Sequence, residues 1–149
     1  GQKAHEETNL STGALLDAKT RTWCKDAIKA AGLPEKWFRT KIVKAGTVLG
    51  RLLPEHAQAV GFESTVVLPA THDTGSAFMA VPAKDDRAVF LSSGTWSLLG
   101  TELTKPQTDN KSQAVGFTNE MGYNGTIRYL KNIMGMWMLQ CIRKEMDLK

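Results

Sequence analysis

A histidine and an aspartate, His72 and Asp73, stand side by side just after an apolar run that ends at Pro69. Small residues at 75–77 follow them and would let a ligand approach. Strand ends in open α/β sheets point into the ligand crevice, so a carboxylate here can orient a substrate hydroxyl and accept its proton. Position alone favours a helix cap instead, with Asp73 accepting the first free amides of a helix that begins at Thr74. The two roles are compatible, because a helix N-terminus stabilises an ionised carboxylate.

A second candidate feature is the short turn in FLSSGTWSLLG, residues 90–100. Hydroxyl side chains at Ser92, Ser93 and Thr95 surround Gly94. A turn of this kind exposes successive backbone amides that can hold an anion such as a phosphate. The alternative is a routine hairpin with a glycine at its tip, and no GxxxxGK[ST] phosphate-binding motif occurs in the chain.

Together these two features suggest phosphoryl transfer. That reaction needs little covalent chemistry from a protein, which mainly orients the nucleophile and neutralises charge on the phosphates. A carboxylate is a weak bulk base, but it can orient a hydroxyl and take its proton late in the transfer.

The first half of the chain has to position Asp73. After a stretch of extended chain we predict a helix over residues 21–31, closed by Gly32 and Pro34. A second helix is predicted to begin near Pro54, where the missing amide proton costs nothing. The run STVVLPA, residues 64–70, lacks polar alternation and therefore predicts a strand buried on both faces of a parallel sheet.

The second half predicts strands followed by a closing helix. A hairpin is expected around Gly94 and a turn at Asn124–Gly125. We expect the last helix to carry both Asn132 and Gln140, which are eight residues apart and so share one face. Spacing favours core positions for the apolar residues between them, Met134, Met136, Trp137 and Met138.

Composition excludes several classes of protein. The formal charge of +4 comes from scattered Lys and Arg without interleaved stacking aromatics, so nucleic-acid binding has little support. Cys24 and Cys141 are isolated, which excludes zinc-type spacing and favours the cytoplasm. No run approaches the roughly 18 apolar residues of a membrane span. The chain begins without Met and ends abruptly, so we expect a piece of a longer protein.

Four motifs in fixed order resemble the rhamnulokinases, a branch of the FGGY family of carbohydrate kinases: THDTGSA, FLSSGTWSLLG, GFTNE and RYLKNIMGMWMLQ. The resemblance implies an α/β fold of the actin-like ATPase (ribonuclease H-like) type, here only in part. It places the end of the first kinase domain at residues 1–71 and the start of the second at 72–149. The implied activity is transfer of the γ-phosphate of ATP to the 1-hydroxyl of L-rhamnulose.

The resemblance also implies residue roles. Asp73 matches the catalytic base. The positions that match sugar contacts are His72, Asp73, Thr74 and Asn132. The positions that match ATP contacts are Gly94, Thr95 and Gln140. Ordinary roles remain open for three of them, since His72 could be a core histidine, Asn132 a helix cap and Gln140 a solvated helix residue.

Two parts of the family pattern are not found in these residues: the N-terminal glycine-rich phosphate motif with its magnesium-binding acid, and the adenine segment. We therefore expect Mg²⁺ to be held mainly by ATP and by residues outside this chain, and the chain alone to be inactive. Missing cover would expose apolar surface in the first half and favour self-association or marginal stability.

Three alternatives stay open. The substrate could be another ketose, such as fuculose or xylulose. The chain could be a non-catalytic sugar- or nucleotide-binding module, although a pure binder has no need of a base. A charge-driven nucleic-acid binder is the third, and its affinity would fall steeply with salt.

Overall fold

A computed structural model describes residues 1–146 of the chain. Its β-strands within that range are β1 (His5–Glu6), β2 (Ile42–Val43), β3 (Val48–Arg51), β4 (Thr65–Val67), β5 (Phe90–Ser93), β6 (Trp96–Leu103), β7 (Thr118–Met121) and β8 (Ile127–Met134). Its α-helices there are α1 (Glu7–Leu10), α2 (Lys25–Ala30), α3 (Pro54–Val60), α4 (Asp73–Ala80), α5 (Asn110–Ala114) and α6 (Met136–Glu145). None of these helices is long and apolar enough to cross a membrane.

The second half is organised by a four-stranded antiparallel sheet in the order β5-β6-β8-β7. The predicted hairpin is confirmed, since β5 and β6 pair from Phe90↔Gly100 to Ser93↔Ser97 around Gly94. The predicted turn at Asn124–Gly125 is also confirmed and joins β7 to β8. Sequence reasoning missed the short helix α5, which Asp109 caps by accepting a hydrogen bond from the Ser112 amide.

The hydrophobic core joins the two halves of the chain. Leu16 from the first half packs with Met121 and Ile127, which are almost fully buried in the sheet. A polar contact reinforces this packing, because the Met121 amide donates to the Ser11 hydroxyl at 2.8 Å. The N-terminal segment is thereby held against the edge strand β7.

A strand is found within residues 64–70 as predicted, but the prediction that it is buried in a parallel sheet is wrong. Strand β4 covers only Thr65–Val67, pairs antiparallel with β3, and all three of its residues are exposed. Within the described part of the chain, the apolar run pairs with one strand, and its strand residues stay exposed to solvent. Exposed apolar surface in the first half was expected, and Val48 and Phe62 are each 61% exposed.

Two further element boundaries differ from prediction. Helix α2 begins at Lys25 instead of residue 21, because Arg21 has left-handed backbone geometry and Leu16 bridges Trp23 before the helix starts. The chain expected to be extended before it contains α1 instead. The predicted helix end at Gly32 is confirmed, since the Gly32 amide donates a hydrogen bond to the Lys29 carbonyl, and α3 begins at Pro54 as expected.

The last helix begins later than predicted. Strand β8 pairs with β6 along its whole length and includes Asn132, and helix α6 starts only after Gly135. The prediction that Asn132 and Gln140 share one helical face is therefore wrong, as is a helix-cap role for Asn132. The apolar residues expected in the core are 46–49% exposed instead: Met134, Met136, Trp137 and Met138.

Candidate active site

An open cleft of about 830 Å³ lies between the start of α4 and the tip of the β5-β6 hairpin. Strands β7 and β8 contribute one side chain each to its wall, Glu120 and Asn132. The cleft brings together most residues singled out from the sequence, namely His72, Asp73, Thr74, Gly94, Thr95 and Asn132. Gln140 is exposed on α6 and does not line this cleft.

Asp73 presents its carboxylate to solvent in this cleft, with 95% of the side chain exposed. The Thr74 amide donates to Oδ1 at 2.6 Å, and His72 Nε2 lies 3.5 Å from the same oxygen. Oδ2 has no partner among the described residues. The cap interpretation does not match this geometry, since His72 occupies the N-cap position and Asp73 is the first helical residue. One carboxylate oxygen is thus held while the other is available to a ligand.

The hairpin tip is held on the start of helix α6. The Met136 amide donates to the Gly94 carbonyl at 2.9 Å, and the Trp137 amide donates to the Thr95 carbonyl at 3.2 Å. The Gly94 amide is occupied by the Trp96 carbonyl at 2.8 Å. The expected row of free amides is therefore shorter than predicted. The amide and hydroxyl of Thr95 have no acceptor within residues 1–146 and remain available to an anion.

Close packing at Gly135 keeps the tip in this position. A Cβ atom on Gly135 would lie 2.6 Å from the Gly94 carbonyl oxygen and 2.7 Å from Ser97 Oγ. Any side chain there would push the tip out of the cleft, so glycine is required by the approach of the hairpin.

The other two expected sugar contacts differ in exposure. Thr74 is almost fully buried beside the cleft, and its hydroxyl donates to Asp73 Oδ1 at 3.4 Å. Asn132 is exposed on β8, opposite Leu98 on β6. It lines the cleft, and a side-chain amide there can both donate to and accept from a hydroxyl.

His72 is fixed by a fully buried arginine, Arg128 on β8. The guanidinium Nη1 lies 2.7 Å from His72 Nδ1, Nη2 donates to the Thr8 carbonyl at 3.2 Å, and Nε donates to the Met121 carbonyl at 3.0 Å. Glu120 on β7 supplies the counter-charge, with Oε2 3.1 Å from Arg128 Nη2. A buried charge needs such partners, because an unpaired one would cost several kcal/mol, on the order of 3–5.

Burial and the neighbouring Arg128 charge lower the pKa of His72, although Glu120, Asp73 and Glu6 act in the opposite direction. Burial likewise lowers the pKa of Arg128 from its usual range, against the effect of nearby acids. His72 is accordingly neutral at pH 7.

The N-terminal segment also holds the residues just before α4 in place. Thr71 donates to Glu6 Oε2 through its amide at 2.9 Å and its hydroxyl at 2.7 Å, and the His72 amide donates to Thr8 Oγ1 at 3.2 Å. Burial would raise the pKa of Glu6, but the hydrogen bonds from Thr8 and Thr71 together outweigh it and lower the pKa. An ionised Glu6 therefore anchors the backbone just before Asp73.

Sequence reasoning missed Glu6, Thr8, Glu120 and Arg128. One signal for the last pair was present, because Glu120 and Arg128 stand at equal distances on either side of Asn124, within the recognised turn. Hairpin register then pairs the two charges directly across β7 and β8. No group of three or more His, Cys, Asp or Glu side chains that could hold a metal ion occurs in the described part of the chain.

Comparison with known proteins supports the resemblance. The chain is 48% identical over 147 residues to a rhamnulokinase of Halalkalibacterium halodurans, and this match covers 99% of the chain and 31% of that protein. It is 43% identical over 147 residues to a rhamnulokinase of Lactiplantibacillus plantarum, covering 98% of the chain and 30% of that protein. The chain thus spans about a third of the length of these curated relatives.

Solved structures agree on the fold. A ligand-bound xylulose kinase from Lactobacillus acidophilus matches 94% of the chain and 28% of its own chain, with a TM-score of 0.76 at 17% identity. A xylulose kinase from Brucella ovis matches 99% of the chain and 30% of its own, with a TM-score of 0.77 at 17% identity. These likenesses confirm the predicted fold class, a partial α/β fold of the actin-like ATPase type.

The model of the N-terminal domain of the FGGY family of carbohydrate kinases matches residues 1–80, more than half of the chain. With the cleft geometry and the relatives, this match confirms the family identified from the four sequence motifs: the chain belongs to the FGGY family of carbohydrate kinases.

Proposed function

We propose that the complete gene product is an ATP-dependent kinase that phosphorylates the 1-hydroxyl of L-rhamnulose. The observation that carries the proposal is the cleft itself, in which Asp73 Oδ2 and the amide and hydroxyl of Thr95 have no partner among residues 1–146. A proton acceptor and phosphate-binding donors in one cleft suit phosphoryl transfer. Relatives named rhamnulokinases at 42–48% identity favour L-rhamnulose as the acceptor.

In this mechanism Asp73 Oδ2 accepts a hydrogen bond from the sugar hydroxyl and orients its oxygen. A new bond forms between that oxygen and the γ-phosphorus of ATP, while the bond from the γ-phosphorus to the bridging oxygen breaks and ADP leaves. The hydroxyl proton passes to Asp73 as the charge on the attacking oxygen falls. Since Thr74 holds only Oδ1, the accepting oxygen keeps its lone pairs for the substrate.

The hairpin tip is proposed to hold the phosphates. Thr95 donates through its amide and hydroxyl to phosphate oxygens, and Gly94 beside it leaves room for close approach, because a Cβ there would meet only the Trp96 carbonyl oxygen at 3.5 Å. Mg²⁺ is proposed to enter with ATP and to neutralise charge on the phosphates. Gln140 lies outside the cleft, so its contact with ATP would require another part of the nucleotide to reach α6.

The choice of sugar is proposed to depend on His72, Thr74 and Asn132, which border the cleft beside Asp73. Xylulose and fuculose remain the alternative acceptors. Two free cysteines, Cys24 and Cys141, suit the reducing cytoplasm that we propose as the location.

The division into a first domain at residues 1–71 and a second at 72–149 remains a proposal, and its last three residues lie outside the described part of the chain. The His72–Asp73 pair would stand at the crossing between the two domains. We also propose that the isolated chain does not turn over and that its exposed apolar residues favour self-association.

Release of ADP tests the proposed function. The complete gene product is incubated with ATP, Mg²⁺ and each of L-rhamnulose, L-fuculose and D-xylulose, and the chain Gly1–Lys149 is assayed in parallel. We expect kcat/KM to be highest with L-rhamnulose by at least about tenfold, a difference of about 1.4 kcal/mol in transition-state binding. Equal activity with all three ketoses would reject the substrate assignment, and no activity with any of them would reject the kinase proposal.

Removing the Thr95 hydroxyl tests the phosphate-binding turn. Thr95→Val keeps the shape of the side chain but removes a donor to a charged oxygen, which is worth about 1.5–3 kcal/mol. We expect the KM for ATP to rise by about tenfold or more while the KM for the ketose stays within about twofold. The control is Thr104→Val, just beyond the opposite end of β6. An unchanged KM for ATP in the Thr95 variant would remove the hydroxyl from the ATP site.

A further inference from the structure

The imidazole of His72 has one end in the protein and the other toward the cleft. Its Nδ1 faces Arg128 Nη1 at 2.7 Å, and its Nε2 faces Asp73 Oδ1 at 3.5 Å. Only 21% of this side chain is exposed, so the ring has little freedom to turn over. The ring therefore links a buried cation to the exposed carboxylate of the proposed base.

A guanidinium can only donate hydrogen bonds, so Nδ1 must keep its lone pair to accept from Arg128. A proton on Nδ1 would point at the N–H of Arg128 across 2.7 Å. The alternative acceptor for such a proton, Glu120 Oε2, lies 3.7 Å from Nδ1, beyond hydrogen-bond distance. The geometry thus selects the neutral ring with its hydrogen on Nε2, facing Asp73.

Glu120 supplies the negative charge that stabilises the buried, positively charged Arg128. Its side chain is only 8% exposed, and Oε2 pairs with Arg128 Nη2 at 3.1 Å without reaching hydrogen-bond alignment. Among the nearby acids, Glu120 does most to raise the pKa of Arg128, ahead of Glu102, and so favours the charged guanidinium. Gly75 of α4 also packs against the guanidinium, since an added Cβ there would lie 3.5 Å from Arg128 Cζ.

We propose that Arg128 and Glu120 are positioning residues that hold His72 as its neutral Nε2–H tautomer, and that this ring in turn orients the Asp73 carboxylate for proton acceptance. The inference rests on the proposed function of Asp73. A neutral ring has a chemical advantage here, because a full positive charge 3.5 Å from the carboxylate would weaken its attraction for the substrate proton. Arg128 thus orients Asp73 through a neutral intermediary.

The state of His72 can be measured on the chain Gly1–Lys149 without turnover. Long-range ¹⁵N–¹H correlation spectra distinguish the ring nitrogens of the three histidines, and His72→Gln assigns the signal. We expect an unprotonated Nδ1 and a protonated Nε2 at pH 7. A proton on Nδ1, or a doubly protonated ring at that pH, would overturn the proposal.

The pH dependence has a definite direction. Burial and Arg128 lower the pKa of folded His72 below its ordinary 6.5, against opposing effects of Glu120, Asp73 and Glu6. The unfolded chain therefore takes up a proton first as the pH falls. The stabilising contribution is complete above about pH 6.5 and is lost as the pH falls through the lower folded value. A titration midpoint for His72 at or above the ordinary value would contradict the proposal that His72 is held as the neutral Nε2–H tautomer.

Kinetics of the complete gene product test the positioning role. Arg128→Lys keeps the charge but loses the planar fork, and we expect kcat to fall by about tenfold or more with the KM for the ketose within about threefold. The control Arg51→Lys alters an exposed pair with Glu63 and should change neither value. A raised KM with unchanged kcat would make Arg128 a contributor to sugar binding only and would overturn positioning.

A second variant keeps the test decisive if the Arg128 variant does not fold. Glu120→Gln keeps the side-chain shape but removes the negative charge beside Arg128. We expect it to shift the titration midpoint of His72 and, like Arg128→Lys, to lower kcat. If wild-type gene product phosphorylates no ketose, the proposed function fails, whereas the tautomer spectrum still decides whether His72 is held. If the spectrum is as expected but both variants keep wild-type kcat, the positioning proposal fails alone.

Discussion

Replacing Asp73 by Asn in the complete gene product is expected to lower kcat for ketose phosphorylation by about 10²–10⁴-fold, the usual contribution of a positioned general base. Asn keeps a carbonyl oxygen that can accept from the Thr74 amide, so the start of α4 should survive. It cannot take the proton from the sugar hydroxyl. Single-turnover rates with saturating ATP and L-rhamnulose would measure the chemical step directly.

Folding should be nearly unaffected by this change, because 95% of the Asp73 side chain is exposed. We expect the free energy of unfolding to stay within about 0.5 kcal/mol of wild type. Asp26→Asn is the matched control, since Asp26 is also an exposed acid in the first turn of a helix but lies outside the cleft. If the Asp73 variant kept its rate, Asp73 would be a structural residue and a non-catalytic sugar- or nucleotide-binding module would become the better hypothesis.

The largest effect on stability is expected from Gly100→Ala. Gly100 lies on β6 opposite Leu130 of β8, at the centre of the four-stranded sheet. An added Cβ would lie 2.5 Å from the Leu130 Cβ and 2.6 Å from its Cα, and it would also overlap the Tyr129 carbonyl oxygen. Backbone atoms of a paired strand cannot move aside without separating the strands. We therefore expect a loss of about 3 kcal/mol or more in the free energy of unfolding.

Urea denaturation followed by tryptophan fluorescence would measure that loss as a lower midpoint. Gly13→Ala is the control, because a Cβ there would meet no atom within 4 Å. Equal midpoints for the two variants would mean that β6 and β8 can separate at Gly100 with little loss of stability.

Much of the local structure could be predicted because neighbouring residues encode it. Asn124–Gly125 specifies a turn, Pro54 can start a helix without losing a hydrogen bond, and Gly32 closes one. The hairpin around Gly94 followed from two apolar strands separated by a small residue. These features depend on backbone preferences over a few residues, which the sequence displays directly.

Predictions failed where partners distant in sequence decided the outcome. Asn132 was expected on the closing helix, in the run NIMGMWMLQCIRKEM, but pairing with β6 holds it in a strand. Short apolar runs are ambiguous between helix and strand until a neighbour is known. The run at residues 64–70 was predicted to be buried on both faces because it lacks polar alternation, but its strand covers only Thr65–Val67 and has one antiparallel partner and exposed residues.

By itself the sequence determined the family, the order of the motifs and six of the residues that meet in the cleft. Only the tertiary structure decided what holds them there. Arg128 reaches His72 across 56 residues and Thr8 across 120, and Glu120 becomes the partner of Arg128 through strand register. Buried polar groups must find partners wherever the fold provides them, so these contacts are set by the packing of the whole chain.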